Sequence, residues 1–267
     1  MRSWLYVPAD QDRFIAKAHE RDADCIILDL EDAVADARKD AARAGLGAAV
    51  ESLRQGESQV AVRVNAGVAG DVDAAVAAGV DWLVCPKADL ASLDELASCL
   101  QRAGAPGLPV LATIESPAAL LDAAAIARHP AVGAVNLGSE DFALALGGRP
   151  DPDVLLQPKL MVHYAAKAAG KLSLGLLRSI ADYADLDGLT AAARDARRHG
   201  FDGSTCVHPS AVPIFNTAFA PSEADIAWAL AVAATEGTVS LNGQMIDKPL
   251  RARAEAILRS AGRAPMD

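Results

Sequence analysis

The chain has 267 residues, 52% of them hydrophobic and 22% charged, which is enough to bury the core of one large α/β domain or of two small ones. Its formal charge of −10, with no cluster of basic residues, argues against nucleic acid or an anionic membrane as the main partner. We expect a cytoplasmic protein, because no apolar run reaches membrane-spanning length and the N-terminus begins with a strand pattern rather than a signal peptide.

Apolar runs alternate with helical patterns along most of the chain. The predicted strands are residues 3–7, 25–30, 59–65, 82–87, 110–114, 131–137, 172–174 and 204–209. The predicted helices are residues 12–21, 35–54, 71–78, 90–103, 117–127, 155–169, 189–200 and 222–236. Several strands are continuously apolar, which is typical of strands covered on both faces. The four cysteines form no CxxC pair and three lie in strand-like runs, so we predict buried, reduced thiols.

Eight strands that alternate with helices predict a (β/α)8 TIM barrel over residues 1–237 rather than an open, doubly wound sheet. No GxGxxG motif follows the first strand, so dinucleotide binding has no support. After residue 237 the alternation stops, and a polar loop at 242–247 precedes a final helix at 249–260. The C-terminal extension, residues 238–267, is therefore predicted to lie outside the barrel.

Acidic residues follow the fifth and sixth predicted strands. Glu115 ends the fifth strand, and Glu140 and Asp141 come shortly after the sixth. Carboxylates held together at one rim repel each other unless a cation lies between them, and a hard cation takes oxygen ligands. We therefore predict a magnesium site formed by Glu115 and Asp141. The alternative for each acid taken alone is that it caps the helix that follows.

Other charged and polar residues also fall at predicted strand ends, where a barrel enzyme builds its site. They are Asp29, Glu31, Asp32, Arg63, Asn65, Lys87 and His208. Each of these residues taken alone is also explained by a structural role, as a helix cap, a solvated charge or a packed histidine. A purely structural role explains Arg63 less well, because it lies in an apolar strand and a buried guanidinium requires an anion. An arginine, a bound cation and two carboxylates indicate a site for a small oxo-acid or its enolate.

Motifs spread over nearly the whole chain resemble the HpcH/HpaI aldolase and citrate lyase beta-subunit family, and most closely its citrate-lyase-beta-like branch, which acts on acyl-CoA thioesters. The resemblance rests on the motifs RSWLYVP (2–8), LDLEDAV (28–34), VRVN (62–65), PK (86–87), IESP (114–117), GSEDF (138–142), GFDG (200–203), VHP (207–209) and NGQMID (242–247). It implies a barrel of the phosphoenolpyruvate/pyruvate type, Mg²⁺ held by Glu115 and Asp141, and a homotrimer. It also implies that Arg63 binds the carboxylate of an oxo-acid.

The family chemistry implies a carbon–carbon lyase of the retro-Claisen or retro-aldol type. It would cleave or form a 3-hydroxyacyl-CoA thioester, such as malyl-CoA or citramalyl-CoA, through a metal-stabilised enolate. In this branch the acid that ends the tail motif, here Asp247, completes the site of a neighbouring subunit, and we expect it to be the general acid/base. Lys87 is a further candidate for substrate binding. Arg13 could meet a CoA phosphate, although a solvated helix face explains it equally well.

Two departures from the family pattern affect the substrate more than the chemistry. Ser204 follows Gly203 where the family often has lysine, and residues 173–178 replace a strand end that usually contains aspartate. Three alternatives therefore stay open. They are an aldolase for free hydroxy-oxo-acids that yields pyruvate, a citrate-lyase-beta-like subunit that needs an acyl-carrier partner, and a non-catalytic binding protein on the same barrel.

Overall fold

A computed structural model describes residues 1–241 and 243–263 of the chain. Within it the chain forms two compact units, Met1–Asn216 and the part from Thr217 onward. No helix among the described residues is both long enough and apolar enough to cross a membrane. The four cysteines are buried and unpaired, as predicted.

The first unit is built around eight parallel strands. They are β1 Ser3–Pro8, β2 Cys25–Asp29, β3 Gln59–Arg63, β4 Trp82–Cys85, β5 Val110–Ile114, β6 Val132–Leu137, β7 Leu172–Ser173 and β8 Ser204–Cys206. Each strand pairs with the next along the chain from β1 to β7, and β8 pairs with β1. A parallel bridge between Leu174 and Gly203 joins the two ends of this order. The predicted (β/α)8 barrel is thereby confirmed.

The helices alternate with these strands. They are α1 Asp12–Ala18, α2 Lys39–Ala44, α3 Leu46–Leu53, α4 Ala69–Ala78, α5 Leu90–Arg102, α6 Pro117–Leu121, α7 Ala123–Arg128, α8 Ser139–Leu146, α9 Pro152–Ala168, α10 Leu186–His199, α11 Ala211–Ala218, α12 Glu223–Ala233 and α13 Lys248–Ser260. Side chains that point into the barrel fill its lower part, and Trp4 meets Trp82 edge to face there, with ring centroids 5.1 Å apart. The strands read as apolar throughout because the helices bury their outer faces as well.

Several predicted elements were wrong in their extent. The helix predicted over 35–54 is a 3-10 turn at Asp36–Arg38 followed by α2 and α3, and the chain changes direction between them at Gly45, a residue that favours helix poorly. The strand predicted over 204–209 ends at Cys206, because Pro209 cannot donate to a ladder and His208 turns back to bond Ser210. Helices α8 and α11 were not predicted.

The second unit contains α12, a two-stranded antiparallel hairpin and α13. The hairpin strands are β9 Val239–Leu241 and β10 Gln244–Ile246, which replace much of the polar loop predicted at 242–247. Ile246 packs with apolar residues of α12 and α13 in a small core of this unit. Asn242 and residues 264–267 of the predicted extension lie outside the described residues.

Candidate active site

A cavity of about 430 Å³ lies at the carboxyl ends of the barrel strands. Arg63, Glu115 and Asp141, three of the predicted site residues, line it together. Glu115 directly follows β5, and Asp141 lies in the first turn of α8 after β6. Parallel strands bring these acids together because their carboxyl ends share one rim. The structure therefore unites the predicted metal ligands with the predicted arginine.

Arg63 is already engaged by acids of its own chain. Its Nε and Nη2 donate to the two carboxylate oxygens of Asp29 at 2.7 and 2.5 Å, and its Nη1 lies 2.9 Å from Glu31. Asp32 is 3.3 Å from the same Nη1, and the ring of Tyr6 lies 5.0 Å below the guanidinium. Although burial opposes the charged form, the hydrogen bonds to Asp29 raise the pKa of Arg63. Asp29 thus occupies two nitrogens of the guanidinium that the family resemblance assigns to the carboxylate of the oxo-acid.

Lys87 connects the acids of β2 with Glu115. Its ammonium group donates to Glu31, and its backbone N–H donates to Glu115 Oε2 at 3.0 Å. The backbone of Lys87 is left-handed, with φ at +48°, a strained conformation for a residue other than glycine. This turn directs the N–H at the carboxylate. Lys87 therefore positions Glu115, while Glu31 holds the Lys87 side chain.

The carboxyl group of Glu115 is buried among other acids. Burial, and then the charges of Glu31 and Asp141, raise its pKa to about 7, while Lys87 opposes the rise. Glu115 also packs against the backbone of Gly138, where an added Cβ would stand 2.5 Å from its Cγ. Gly138 is therefore required for this placement, since any side chain there would push the carboxylate away.

This arrangement suits Mg²⁺. Glu115 and Asp141 offer carboxylate oxygens whose mutual repulsion a dication would remove. No cluster of three or more acidic, histidine or cysteine side chains is placed for a metal in the described chain. Mg²⁺ fits a donor set of this size because it commonly binds one or two carboxylates and fills its remaining positions with water and substrate oxygens.

The sequence interpretation missed several polar side chains of the cavity, among them Thr113, Asn136 and Lys159. Thr113 Oγ1 and Asn136 Oδ1, which face each other on β5 and β6, are buried and have no hydrogen-bond partner among the described residues. Lys159 reaches the cavity from α9 and is only 3% exposed. Burial lowers the pKa of Lys159 to about 8, and Glu140 opposes this effect.

Asp247 and Arg13 are not among the residues that line this cavity. Asp247 is the N-cap of α13, and its carboxylate accepts the Leu250 N–H at 3.4 Å. Arg13 is exposed on α1 and stacks over the ring of Phe14, 4.5 Å from its centroid. The catalytic role of Asp247 and the CoA contact of Arg13 stay predictions.

Comparison with known proteins agrees with this geometry. The model of the HpcH/HpaI aldolase/citrate lyase family matches residues 2–209. A citrate lyase subunit beta-like protein of Mycobacterium tuberculosis is 37% identical over 98% of this chain and 96% of its own length. A (3S)-malyl-CoA thioesterase of Cereibacter sphaeroides is 37% identical over 84% of this chain and 79% of its own. The crystal structure of CitE from M. tuberculosis, in complex with magnesium, acetoacetate and coenzyme A, superposes with a TM-score of 0.80 at 34% identity and 98% coverage of both chains.

These matches confirm the resemblance drawn from the motifs, and with it the barrel fold and an enzyme of the carbon–carbon lyase class. The family match covers β1 to β8 and therefore every residue that lines the cavity. The chain belongs to the HpcH/HpaI aldolase/citrate lyase family.

Proposed function

We propose that the chain is a Mg²⁺-dependent carbon–carbon lyase that cleaves or forms a 3-hydroxyacyl-CoA thioester such as malyl-CoA or citramalyl-CoA. Support for the cofactor and the substrate class comes from the CitE structure with magnesium, acetoacetate and coenzyme A, and from a malyl-CoA enzyme among the relatives. The observation that carries the proposal is the pair of carboxylates, Glu115 and Asp141, that lines one cavity together with Arg63. Burial, and then the charges of Glu31 and Asp141, raise the pKa of Glu115 to about 7.

Glu115 and Asp141 would hold the metal at the mouth of the barrel. When bound there, Mg²⁺ supplies a Lewis acid and a template for substrate oxygens. The backbone N–H of Lys87 keeps the Glu115 carboxylate in position, and the close backbone of Gly138 limits its movement. Asp29 orients Arg63, and Glu31 orients Lys87. These two acids therefore help to position the Glu115 carboxylate, which accepts the Lys87 N–H.

Proton transfer needs a group that can accept and return a proton at the reacting carbon and at the carbinol oxygen. We assign this role to Asp247, contributed by the C-terminal extension, residues 238–267, of a neighbouring subunit. Arg63 would contact the substrate from the β3 side through Nη1, the nitrogen that Asp29 does not bind and that also meets Glu31 and Asp32. Lys87 and Arg13 are proposed to assist substrate binding, with Arg13 directed at a phosphate of CoA.

Exposed apolar side chains support an oligomer. Helix α6 packs against α8 and against α9 on one side of the barrel. They leave Leu121, Leu144, Leu146, Leu156 and Tyr164 exposed, and the exposed fractions of Leu121 and Leu144 reach 80% and 78%. Such a surface on a folded chain is typical of a subunit interface. We propose a homotrimer, the assembly that the family resemblance implies.

The substrate class is tested by incubating the purified chain and Mg²⁺ with malyl-CoA and citramalyl-CoA in one series and with free hydroxy-oxo-acids in another. We expect release of glyoxylate or pyruvate from a thioester and none from a free acid. Because one relative is named for thioester hydrolysis, the free thiol of CoA must be followed separately from the oxo-acid. Turnover of free acids alone would favour the aldolase alternative, and turnover only after addition of an acyl-carrier protein would favour the citrate-lyase subunit.

The shared site is tested by complementation. We expect Asp247→Asn to lower kcat strongly while leaving the melting temperature nearly unchanged, because asparagine still caps α13. A variant whose barrel is inactive, Asp141→Asn, is then unfolded and refolded together with Asp247→Asn. If tails are exchanged in random mixed oligomers, about a quarter of the sites combine an intact barrel with an intact tail. Activity should therefore return to about a quarter of the wild-type value.

Mass spectrometry of the mixture shows whether mixed oligomers form, and each variant refolded alone is the control. Mixed oligomers without recovered activity would mean that Asp247 serves its own barrel or none. A normal kcat for Asp247→Asn would remove the residue from the mechanism altogether.

A further inference from the structure

Lys159 is a buried cation that forms no ion pair with an acid in the described part of the chain, although the charge of Glu140 is near enough to oppose the lowering of its pKa by burial. It lies in α9, which packs against β6 and β7, and its side chain reaches the cavity at the ends of these strands. Only 3% of the residue is exposed, yet the described residues offer its ammonium group neither an ion pair within 4.0 Å nor a hydrogen bond. A buried charge is costly unless something compensates it, so this position calls for an anion.

The other cations at this site are already satisfied. Arg63 forks onto Asp29 and meets Glu31 and Asp32 with its remaining nitrogen. The ammonium of Lys87 is held by Glu31. An anion that approached either group would meet the carboxylates around it as well as the cation. Among the residues that line the cavity, Lys159 is therefore the positive charge with the most to gain from an anionic ligand.

We propose that Lys159 binds the carboxylate of the oxo-acid part of the substrate on the β6–β7 side of the cavity. This assignment rests on the proposed function and goes beyond it, because it moves the carboxylate from Arg63 to the opposite side of the barrel. Arg63 is then left to contact an oxygen on the thioester side. The substrate class narrows to acids whose carboxylate fits between the Glu115–Asp141 pair and Lys159.

Two features of the cavity support a carboxylate rather than a CoA phosphate. Lys159 is buried in a cavity of about 430 Å³, a size suited to a small acid. The unpartnered Thr113 Oγ1 and the side-chain amide of Asn136 line the same cavity and can meet the remaining oxygens of such an acid. Phosphates of a cofactor as large as CoA would instead lie outside the mouth.

The test compares pyruvate with pyruvamide, its uncharged analogue, by calorimetric titration of the Mg²⁺-loaded protein. Lys159→Met keeps an unbranched side chain but removes the charge, and Lys159→Arg restores it. We expect Lys159→Met to weaken pyruvate binding about 10- to 100-fold and to leave pyruvamide binding nearly unchanged. Lys159→Arg should recover most of the preference for pyruvate. Lys167→Met is the matched control, because Lys167 lies two turns further along α9, exposed and paired with Asp202.

The experiment distinguishes failure of the Lys159 assignment from failure of the proposed lyase function. If Lys159→Met keeps the wild-type preference for pyruvate, Lys159 does not bind the carboxylate, and the proposed function is unaffected. If the wild-type protein with Mg²⁺ binds no pyruvate, the proposed function fails, and this assignment fails with it. A purely structural lysine would shift the melting temperature of Lys159→Met without changing the ratio of the two affinities.

Discussion

Replacing Asp141 by Asn is expected to lower kcat/KM by about three orders of magnitude or more and to abolish the stabilisation of the folded chain by Mg²⁺. Glu115→Gln should behave in the same way. Each change removes one of the two carboxylates that we assign to the metal, which follow the neighbouring strands β5 and β6 and line the cavity. An amide keeps the size of the side chain but is a much weaker ligand for a hard dication.

The measurement pairs activity with thermal unfolding, both with Mg²⁺ and with EDTA. Glu140→Gln is the matched control, since Glu140 lies in the same turn of α8 and bonds to Ser179. It should keep its response to Mg²⁺. Full activity of the wild-type protein in EDTA would contradict the metal assignment, and loss of the Mg²⁺ response in Glu140→Gln but not in Asp141→Asn would show that the wrong acid had been chosen.

Because the pKa of Glu115 is raised, the stabilisation of the folded chain by Mg²⁺ should depend on pH. The pKa of this carboxyl rises from 4.5 to about 7 on folding, so its protonated form stabilises the metal-free fold. That contribution is complete below about pH 4.5 and is lost as the pH rises through 7, amounting to about 3 kcal/mol of unfolding free energy. We therefore expect the rise in melting temperature on adding Mg²⁺ to grow between pH 5 and 8. Glu115→Gln should show neither effect.

Arg63→Lys is the second change for which we expect a large effect, a loss of kcat/KM of about a hundredfold or more although the charge is kept. The guanidinium contacts Asp29 with two nitrogens and Glu31 with a third. A single ammonium group cannot make all three of these contacts, so buried Asp29 or Glu31 would lose its contact with the cation on β3. The site would then lose the arrangement that orients Lys87 and, through it, Glu115.

Arg54→Lys is the control for a forked arginine outside the site. Arg54 bonds Asp81 at 2.7 Å and the Gly79 carbonyl at 2.8 Å on an exposed surface, so its replacement should change stability by less than about 1 kcal/mol. Kinetics, melting temperature and Mg²⁺ titration are measured for both variants. A nearly normal kcat/KM for Arg63→Lys would show that the fork is not needed for turnover.

The strands, and the acids at their carboxyl ends, could be predicted because the sequence pattern of each lies within a few neighbouring residues. A strand buried on both faces must be apolar along its length, as Cys25–Asp29 is, and the residue that follows a parallel strand must lie at the barrel mouth. Glu115 could therefore be placed without a structure. The partner of Arg63 could not, since Asp29 and Arg63 are 34 residues apart and meet only because β2 pairs with β3 in register.

Lys159 was missed although the sequence carried a signal for it. Leu155, Val162 and Ala166 are buried at helical spacing, and Lys159 falls in the middle of this buried stripe. A charged residue within an apolar helix face indicates a functional role for the same reason as Arg63 does within an apolar strand. What the sequence could not provide is the direction of α9, whose packing on β6 and β7 brings this residue to the cavity.

The closure between β7 and β8 separates the strands that hold the acids from the loop that walls the cavity. A bridge between Leu174 and Gly203 joins these strands, and Gly203 must stay small because a Cβ there would lie 2.5 Å from the Arg2 carbonyl oxygen. Residues 175–181, which follow this closure, wall the cavity without belonging to any strand or helix. Insertions or substitutions there can reshape the wall while the ladder from β1 to β6 keeps the acids in place. A change in this wall can therefore alter which acid is accepted without moving the acids that are assigned to the metal. The two departures from the family pattern, Ser204 and residues 173–178, lie at this closure.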